Sequence, residues 1–234
     1  MRLGKSHPGW TQTIETWKRT QADLHRRMIV SRLSPLPRFV AGVDCAFSTD
    51  AATDDETTVL AAAVIYDRLE RRIIEVRHAT APADVPYVPT FLSFREGPAI
   101  LAAIAVLSHP FGAICFDGQG IAHPRRCGLA THIGVMLDVP GIGVAKTRLI
   151  GTFTEPDSTA GSLSPLMDGP EQIGVVLRTK NNVRPLFVSI GHRVDLPSAI
   201  ELLMDCTKFR IPEPTRQADA EVGKMKRQLT QSQS

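Results

Sequence analysis

The chain has 234 residues, of which 43% are hydrophobic and 22% charged, and its formal net charge is +3. This composition predicts one α/β domain spanning 1–234 with a real core, and the charge alone is a weak sign of a nucleic-acid partner. No apolar run is long enough to span a membrane, and MRLGKSHPGW lacks a signal-peptide core, so we expect a soluble, cytoplasmic protein.

The first third of the chain predicts one helix and three strands. A helix is expected over about 10–30, where Trp10, Ile14, Trp17, Leu24 and Met28 share one face. The segments RFVAGVDCAF, TVLAAAVIYD and RRIIEVRHAT then alternate or run apolar as strands do, with a short polar turn between the last two. Three sequential strands predict an antiparallel meander.

The rest of the chain mixes strands and helices. PAILAAIAVLSHP predicts a helix, and GAICFDG, RRCGLATHIGVMLD and GIGVAK predict a βαβ unit with a parallel strand pair. EQIGVVLRT and RPLFVSIG predict a hairpin, followed by a helix in PSAIELLMDCTKF. The segment Thr152–Pro170 is expected to be an exposed loop, and the polar residues 223–234 a frayed tail. The four cysteines show no C-x-x-C spacing and are expected to be reduced core residues.

Two aspartates stand at unusual places in the predicted strands. Asp44 lies inside a buried strand, where a carboxylate is costly unless it has a partner. It either forms a buried salt bridge, to Arg95 or Lys146, or belongs to a functional site. Asp117 ends the strand AICF and, taken alone, is typical of a turn. Neighbouring strands would bring the two aspartates to one sheet edge, with Glu96 joining them from the adjacent helix.

Three convergent carboxylates without histidine or cysteine favour a hard cation, Mg²⁺ or Mn²⁺. Such an ion takes phosphate oxygens as further ligands and activates a water for attack. The predicted catalytic and metal-binding residues are therefore Asp44, Glu96 and Asp117.

The residues after Asp117 are candidates for binding substrate. Gly118 and Gly120 would let backbone amides approach a ligand closely, and His123 and Arg125 stand at the start of the next helix, where anions are favoured. The alternative is an ordinary turn and cap with solvated arginines.

Further polar residues sit at the ends of predicted elements. Lys146 ends GIGVAK, where its side chain would reach a phosphate from the sheet edge; the alternative is a solvated lysine. His192 alone is more typical of a structural histidine, and Asp219 alone of a solvated helix residue. Tyr87 stands between Pro86 and Pro89, which restrict the backbone and present the ring on a stiff loop.

Five motifs resemble those of the endonuclease V family, in the expected order from about Arg38 to Asp219. They are VAGVDCAF, PYVPTFLSFREGP, DGQGIAHPRRCGLATHIGVMLDVPGIGVAKTRLIG, SIGHRVDL and PEPTRQAD. The resemblance implies a ribonuclease-H-like fold, a mixed central sheet flanked by helices with the first three strands antiparallel. It also implies a Mg²⁺-dependent DNA-repair nuclease that acts on deaminated bases, chiefly hypoxanthine in deoxyinosine.

The resemblance further implies cleavage of the second phosphodiester bond 3′ to the lesion, leaving 3′-hydroxyl and 5′-phosphate ends, by a protein that we expect to be a monomer. The three predicted carboxylates match the family's metal ligands, and Asp219 matches a supporting acidic position. Tyr87 matches the strand-separating wedge, a stiff aromatic that stacks where a base has left the duplex. Lys146 and His192 match polar positions near the site.

Two positions depart from the family pattern. Gln119 stands where many bacterial members have histidine, and only histidine carries a proton at neutral pH. Thr90 stands where glycine is common after the wedge, which would alter the flexibility of the loop. Two other functions stay open: a ribonuclease acting mainly on inosine in RNA, and a catalytically silent module that binds a flipped base.

Overall fold

The computed structural model describes residues 13–49 and 56–232, which form one mixed sheet with helices on both faces. The strands are β1 (Phe39–Thr49), β2 (Glu56–Asp67), β3 (Arg72–Pro82), β4 (Ala113–Phe116), β5 (Gly141–Ala145), β6 (Leu163–Asp168), β7 (Glu171–Leu177) and β8 (Leu186–His192). The helices are α1 (Ile14–Arg27), α2 (Leu92–Ala105), α3 (Leu129–Leu137), α4 (Leu196–Asp205) and α5 (Glu213–Ser232). The strand order is β3-β2-β1-β4-β5-β8-β7-β6.

The pairing of the strands confirms the predicted ribonuclease-H-like arrangement. β1, β2 and β3 form the expected antiparallel meander. β1 then pairs in parallel with β4, and β4 with β5 through the crossover helix α3, as the βαβ pattern predicts. The expected hairpin of β7 and β8 is also present, and β8 runs antiparallel to β5.

Side-chain alternation along β1 separates two cores. Ala41 and Val43 pack with residues of α1, α2 and α3 on one face of the sheet. Val40 belongs to the core that α4 covers on the other face. Helix α5 lies on that second face, where Val222 packs against Leu60 of β2. Because successive side chains in a strand point to opposite faces, Asp44 lies on the α5 side of the sheet.

Two segments differ from the sequence-based expectation. The expected loop Thr152–Pro170 contains the edge strand β6, which pairs with β7 and buries Ser164 and Leu166 on alternate positions. The polar residues 223–234 were expected to fray, but α5 continues through Ser232, since Val222 and Met225 give it an apolar contact with the sheet. The predicted start of the first helix at Trp10 lies outside the described residues.

The four cysteines are all free, and three of them are buried, as expected for reduced core residues. Among the helices in the described part of the chain, none is both long and apolar enough to cross a membrane.

Candidate active site

The register of two parallel strands brings the aspartates together. Val43 of β1 pairs with Phe116 of β4, so Asp44 and Asp117, the next residue of each chain segment, stand side by side. Helix α5 supplies a third carboxylate from the second face. Its first turn lies so close to β1 that a Cβ on Gly42 would be 2.1 Å from the Pro214 carbonyl oxygen. Only glycine at position 42 therefore permits this approach.

The carboxylates that converge are those of Asp44, Asp117 and Asp219, each of which offers an oxygen within 4.8 Å of the other two. Lys146, directly after β5, lies against them. Its Nζ is 2.5 Å from an Asp117 oxygen and 3.2 Å from an Asp219 oxygen. Asp219, predicted as a supporting residue, is thus a full member of this acidic cluster.

Glu96 lies deeper than the cluster. It sits on α2, on the other face of the sheet, and is 8% exposed. Its pKa is raised to about 8, mainly because it is buried and further because Asp44 and Asp117 repel its negative charge. Glu96 is therefore close enough for the charges of both aspartates to shift its pKa. Among the described residues, however, it does not belong to the group whose carboxylate oxygens lie within 4.8 Å of one another.

Negative charge in the cluster is only partly compensated. Burial and the charge of Asp117 raise the pKa of Asp44 to about 8, although the Cys45 amide donates a 2.9 Å hydrogen bond to its Oδ1. The carboxylates around Lys146 raise its pKa despite the opposing effect of burial. One lysine cannot balance this many acidic groups, whereas a divalent cation would, so the donor set fits Mg²⁺ or Mn²⁺.

Tyr87 is presented beside the cluster. It is 66% exposed, and its flanking residues Pro86 and Pro89 are exposed as well, while Val85 and Phe91 anchor the loop in the core. A cleft of about 450 Å³ opens between this loop and the sheet edge, and its lining includes Tyr87, Asp117, Gly118, Gln119, Lys146 and Arg148. Tyr87 and Asp117 therefore share one cleft, whereas Asp44 and Asp219, which approach Asp117 within 4.8 Å, line a separate depression against α5.

The two glycines after Asp117 use their amides internally. The Gly118 amide donates to the Phe116 carbonyl at 2.9 Å, and the Gly120 amide donates to Ser189 Oγ at 2.8 Å. A Cβ on Gly120 would lie 2.1 Å from the Ile190 carbonyl oxygen. The expected role of these amides in binding a ligand is thus not supported: Gly120 is required for packing, and only Gly118 lines the cleft.

The arginines and histidine of the following segment are also engaged within the protein. Arg125 donates to Thr90 Oγ1 at 2.5 Å, and His123 Nε2 is 2.8 Å from the Thr90 carbonyl oxygen. Arg126 forms salt bridges of 2.7 Å with Asp168 and Glu171. These contacts hold neighbouring loops, so the expected phosphate contacts of Arg125 are not supported. His123 also lines the cleft, and its ligand contact stays a prediction.

His192 lies away from the cluster. It pairs with Gly141 at the start of β5, whereas Lys146 follows the end of that strand, roughly 16 Å away at about 3.3 Å per residue. Its Nδ1 accepts from the Ile29 amide at 3.2 Å, and its Nε2 is 3.0 Å from Asp138 Oδ1. The structure therefore places His192 away from the acidic cluster, because β8 runs antiparallel to β5 and carries its last residue to the opposite end of that strand; its contact with substrate stays a prediction.

Two further residues bear on the cleft. Gln119, where the family often has histidine, is buried and donates from Nε2 to the Thr147 carbonyl at 3.0 Å. It therefore holds the segment that follows Lys146. Gln21 of α1 contacts Thr90 and Arg125. Sequence reasoning missed Gln21 because its partners lie 69 and 104 positions away and no local pattern marks it.

Known proteins are similar to this chain in both sequence and fold. A family model described as Endonuclease V matches residues 22–220. An Endonuclease V of Rippkaea orientalis is 46% identical over 209 residues, which are 88% of this chain and 89% of the relative. The crystal structure of the Endonuclease V from Streptomyces avermitilis superimposes with a TM-score of 0.88 at 40% identity, covering 96% of this chain and 97% of that one.

A third comparison includes a bound nucleic acid. Ciona intestinalis Endonuclease V, solved in complex with a 24mer DNA containing an inosine followed by a ribo-adenosine, superimposes with a TM-score of 0.80 at 25% identity. The match covers 92% of this chain and 98% of that one. The chain therefore belongs to the Endonuclease V family and is a nuclease, a phosphodiester hydrolase.

Proposed function

We propose that this nuclease recognises inosine in nucleic acid and, with Mg²⁺, hydrolyses the second phosphodiester bond 3′ to it, leaving 3′-hydroxyl and 5′-phosphate ends. The observation that carries the proposal is the cleft that holds both the exposed ring of Tyr87 and Asp117, the member of the acidic cluster that faces it. Recognition of a displaced base and cleavage of the strand beside it need these two features together.

Asp44, Asp117 and Asp219 would hold the cation, with Glu96 behind them as the carboxylate of the helical face. When bound, the ion polarises the scissile phosphate and activates a water for attack. Lys146 brings a positive charge to the same place, where it would bind a phosphate oxygen of the strand being cut. Mn²⁺ has the same preference for oxygen ligands and would substitute.

Tyr87 would act as the wedge. Its ring is exposed on a loop stiffened by Pro86 and Pro89, and an aromatic in this setting stacks on a base step that has been opened. The adjoining cleft would receive the base that leaves the stack, which for inosine is hypoxanthine.

A preference for RNA is the second candidate. The favouring observation is that the Ciona relative was captured on a strand with a ribonucleotide directly after the inosine. The 2′-hydroxyl distinguishes the two substrates at that position.

The decisive experiment uses matched DNA and RNA oligonucleotides, each with one inosine, incubated with Mg²⁺, with Mn²⁺ or with EDTA. We expect metal-dependent cleavage at the second bond 3′ to inosine, and none by Asp117→Asn. Equal cleavage of oligonucleotides in which adenosine replaces inosine would refute the recognition part. Cleavage in EDTA would refute the metal part, and the DNA-to-RNA rate ratio assigns the substrate.

A further inference from the structure

The turn after Tyr87 has a backbone shape that threonine rarely adopts. The Phe91 amide donates to the Val88 carbonyl at 3.0 Å, which closes a four-residue turn with Pro89 at its second position. Thr90, at the third position, has φ of 71°. A turn with proline second and positive φ third is a type II turn, whose third residue is usually glycine or asparagine. A β-branched residue there is strained.

Three side chains from distant parts of the chain converge on Thr90. Its carbonyl oxygen is 2.9 Å from Gln21 Nε2, 2.8 Å from His123 Nε2 and 3.2 Å from Arg125 Nη2. Its hydroxyl accepts from the same Arg125 nitrogen at 2.5 Å. The hydroxyl contact is open to threonine but not to glycine, so the residue that strains the turn also supplies the group that Arg125 binds.

The converging side chains are themselves fixed. Arg125 donates to Gln21 Oε1, and its guanidinium lies 4.3 Å from the centre of the Phe91 ring. Phe91 in turn packs on Trp17 of α1, with ring centres 5.5 Å apart. His123 Nδ1 accepts from the Arg125 amide at 3.1 Å. The turn is thus held by an interlocked set of groups, of which Gln21 and His123 are buried and Arg125 is half-buried.

We propose that Gln21, His123 and Arg125 form a latch that holds Thr90 in its strained conformation and so positions Tyr87 for opening a duplex. The proposal rests on the proposed function of Tyr87 as a wedge. Tyr87 is three residues from Thr90, and relaxation of Thr90 to negative φ would redirect the chain that carries the ring. In this role the three act through Thr90 as positioning residues, although His123 also lines the cleft.

The sharpest test compares two substitutions at one position. Thr90→Val keeps the β-branched shape and removes the hydroxyl, so the strain stays while the bond to Arg125 is lost. Thr90→Gly removes both, and glycine adopts positive φ without strain. We expect Thr90→Val to lower cleavage of inosine duplexes about tenfold more than cleavage of single strands, as loss of a hydrogen bond to a charged group would. Thr90→Gly should keep the wild-type ratio.

Arg125→Met extends the test to the other partner. In the protein that keeps Thr90, Arg125→Met should lower the ratio of duplex to single-strand cleavage as Thr90→Val does. In the Thr90→Gly protein, Arg125→Met should change that ratio much less. Melting temperatures report any loss of stability. Such a loss would lower the cleavage rates of both substrates alike and leave their ratio unchanged.

A second readout does not depend on cleavage. With Ca²⁺ in place of Mg²⁺, 2-aminopurine next to the inosine brightens when the duplex is opened, and Thr90→Val should reduce that signal while Thr90→Gly restores it. Equal signals and equal cleavage ratios for wild type and Thr90→Val would overturn the latch, as would an equal loss in both variants. If the wild type opens the duplex but cuts nothing, the proposed hydrolysis fails and the fluorescence still decides on the latch.

Discussion

At the scale of single residues, the proposed active site consists of carboxylates that the fold holds against their mutual repulsion. Asp44 and Asp117 are adjacent, and the pKa of Asp44 is raised to about 8 by burial and by that neighbour. Native proteins tolerate such a cost where function requires the groups. The metal-free protein therefore stores unfavourable electrostatic free energy that a cation would relieve.

Removing one of these charges should stabilise the protein and inactivate it. We expect Asp44→Asn to abolish cleavage and, in EDTA at a pH above 8 where the Asp44 carboxyl is ionised, to raise the melting temperature, by about 2–4 °C for each kcal/mol of repulsion removed. Asp157→Asn, in an exposed loop, serves as the control and should change neither property. A melting temperature lowered in Asp44→Asn, or cleavage retained, would contradict the assignment.

Tyr87 should matter for duplex substrates and hardly at all for stability. Deleting a buried aromatic costs about 3–5 kcal/mol, but this ring is 66% exposed, so Tyr87→Ala should leave the melting temperature nearly constant. Affinity for inosine duplexes should fall by about 1–3 kcal/mol, the range for base–aromatic stacking. Tyr87→Phe should retain most of it. A large fall in the melting temperature of Tyr87→Ala with unchanged affinity for inosine duplexes would show that the ring serves only to pack the protein.

His123 should make stability depend on pH. Its pKa is lowered to about 4 from 6.5, mainly because it is buried and further because Arg125 and Arg126 repel a positive charge. Below pH 6.5 His123 binds a proton in the unfolded chain but stays neutral in the native protein. Its contribution to the free energy of unfolding is therefore fully present above pH 6.5 and is lost as the pH falls toward 4. The expected loss is roughly 3 kcal/mol.

Urea unfolding of the wild type and of His123→Gln, at pH 7.5 and at pH 4.5, isolates this contribution. Glutamine can donate to the Thr90 carbonyl but does not titrate. The free energy of unfolding of His123→Gln, relative to that of the wild type, should therefore rise at the lower pH. The carboxylates with raised pKa values are common to both proteins and cancel in the difference. A difference that is constant with pH would show that His123 does not cause the loss.

At the scale of secondary-structure elements, the sequence predicts what periodicity and strand order determine. The placing of Asp44 and Asp117 follows from two apolar runs, each carrying one carboxylate, and from the parallel pairing that a βαβ unit requires. The exposure of Tyr87 follows from two flanking prolines in a polar stretch. These are local signals with one structural outcome.

The features that the sequence did not predict depend on contacts far apart in the chain. β6 is a short edge strand containing Pro165, so its alternation was too brief to separate it from a loop. α5 has a narrow apolar face among polar residues, and its full length depends on packing against β2. The distance between His192 and the cluster was not predicted, because the antiparallel direction of β8 is decided by pairing rather than by local pattern.

The contact between α5 and β1 yields a prediction with a matched control. Gly42→Ala would place a Cβ against the Pro214 backbone, so α5 must shift, at about 1–3 kcal/mol, and Asp219 moves with it. Cleavage should fall. Gly223→Ala lies within α5 and faces only the flexible end of Arg227 at 3.5 Å, so it should stabilise by about 0.5–1 kcal/mol and keep cleavage. Full activity in Gly42→Ala would contradict the role given to this contact.

At the scale of the whole molecule, helices on both faces of the sheet contribute carboxylates to the same end of the central strands. Helix α2 brings Glu96 from the first face and α5 brings Asp219 from the second, while β4 and β5 end between them and β1 carries Asp44 past the same point. The net charge is only +3, so attraction to phosphate depends on where cations lie rather than on their excess. Since Arg125 and Arg126 are engaged internally, Lys146 is the main candidate near the cluster.

Salt dependence of binding tests that arrangement. A lysine that neutralises one phosphate releases condensed counterions, so the slope of log Kd against log salt should flatten by about one in Lys146→Met. Anisotropy of a labelled inosine oligonucleotide, with Ca²⁺ replacing Mg²⁺ to prevent cleavage, measures the slope. Lys18→Met, on the exposed face of α1 where Lys18 pairs with Glu15 at 3.4 Å, is the control and should keep the wild-type slope. If Lys146→Met keeps it too, Lys146 serves only to hold Asp117 and Asp219 together, and the positive charge that meets the strand must come from the bound cation.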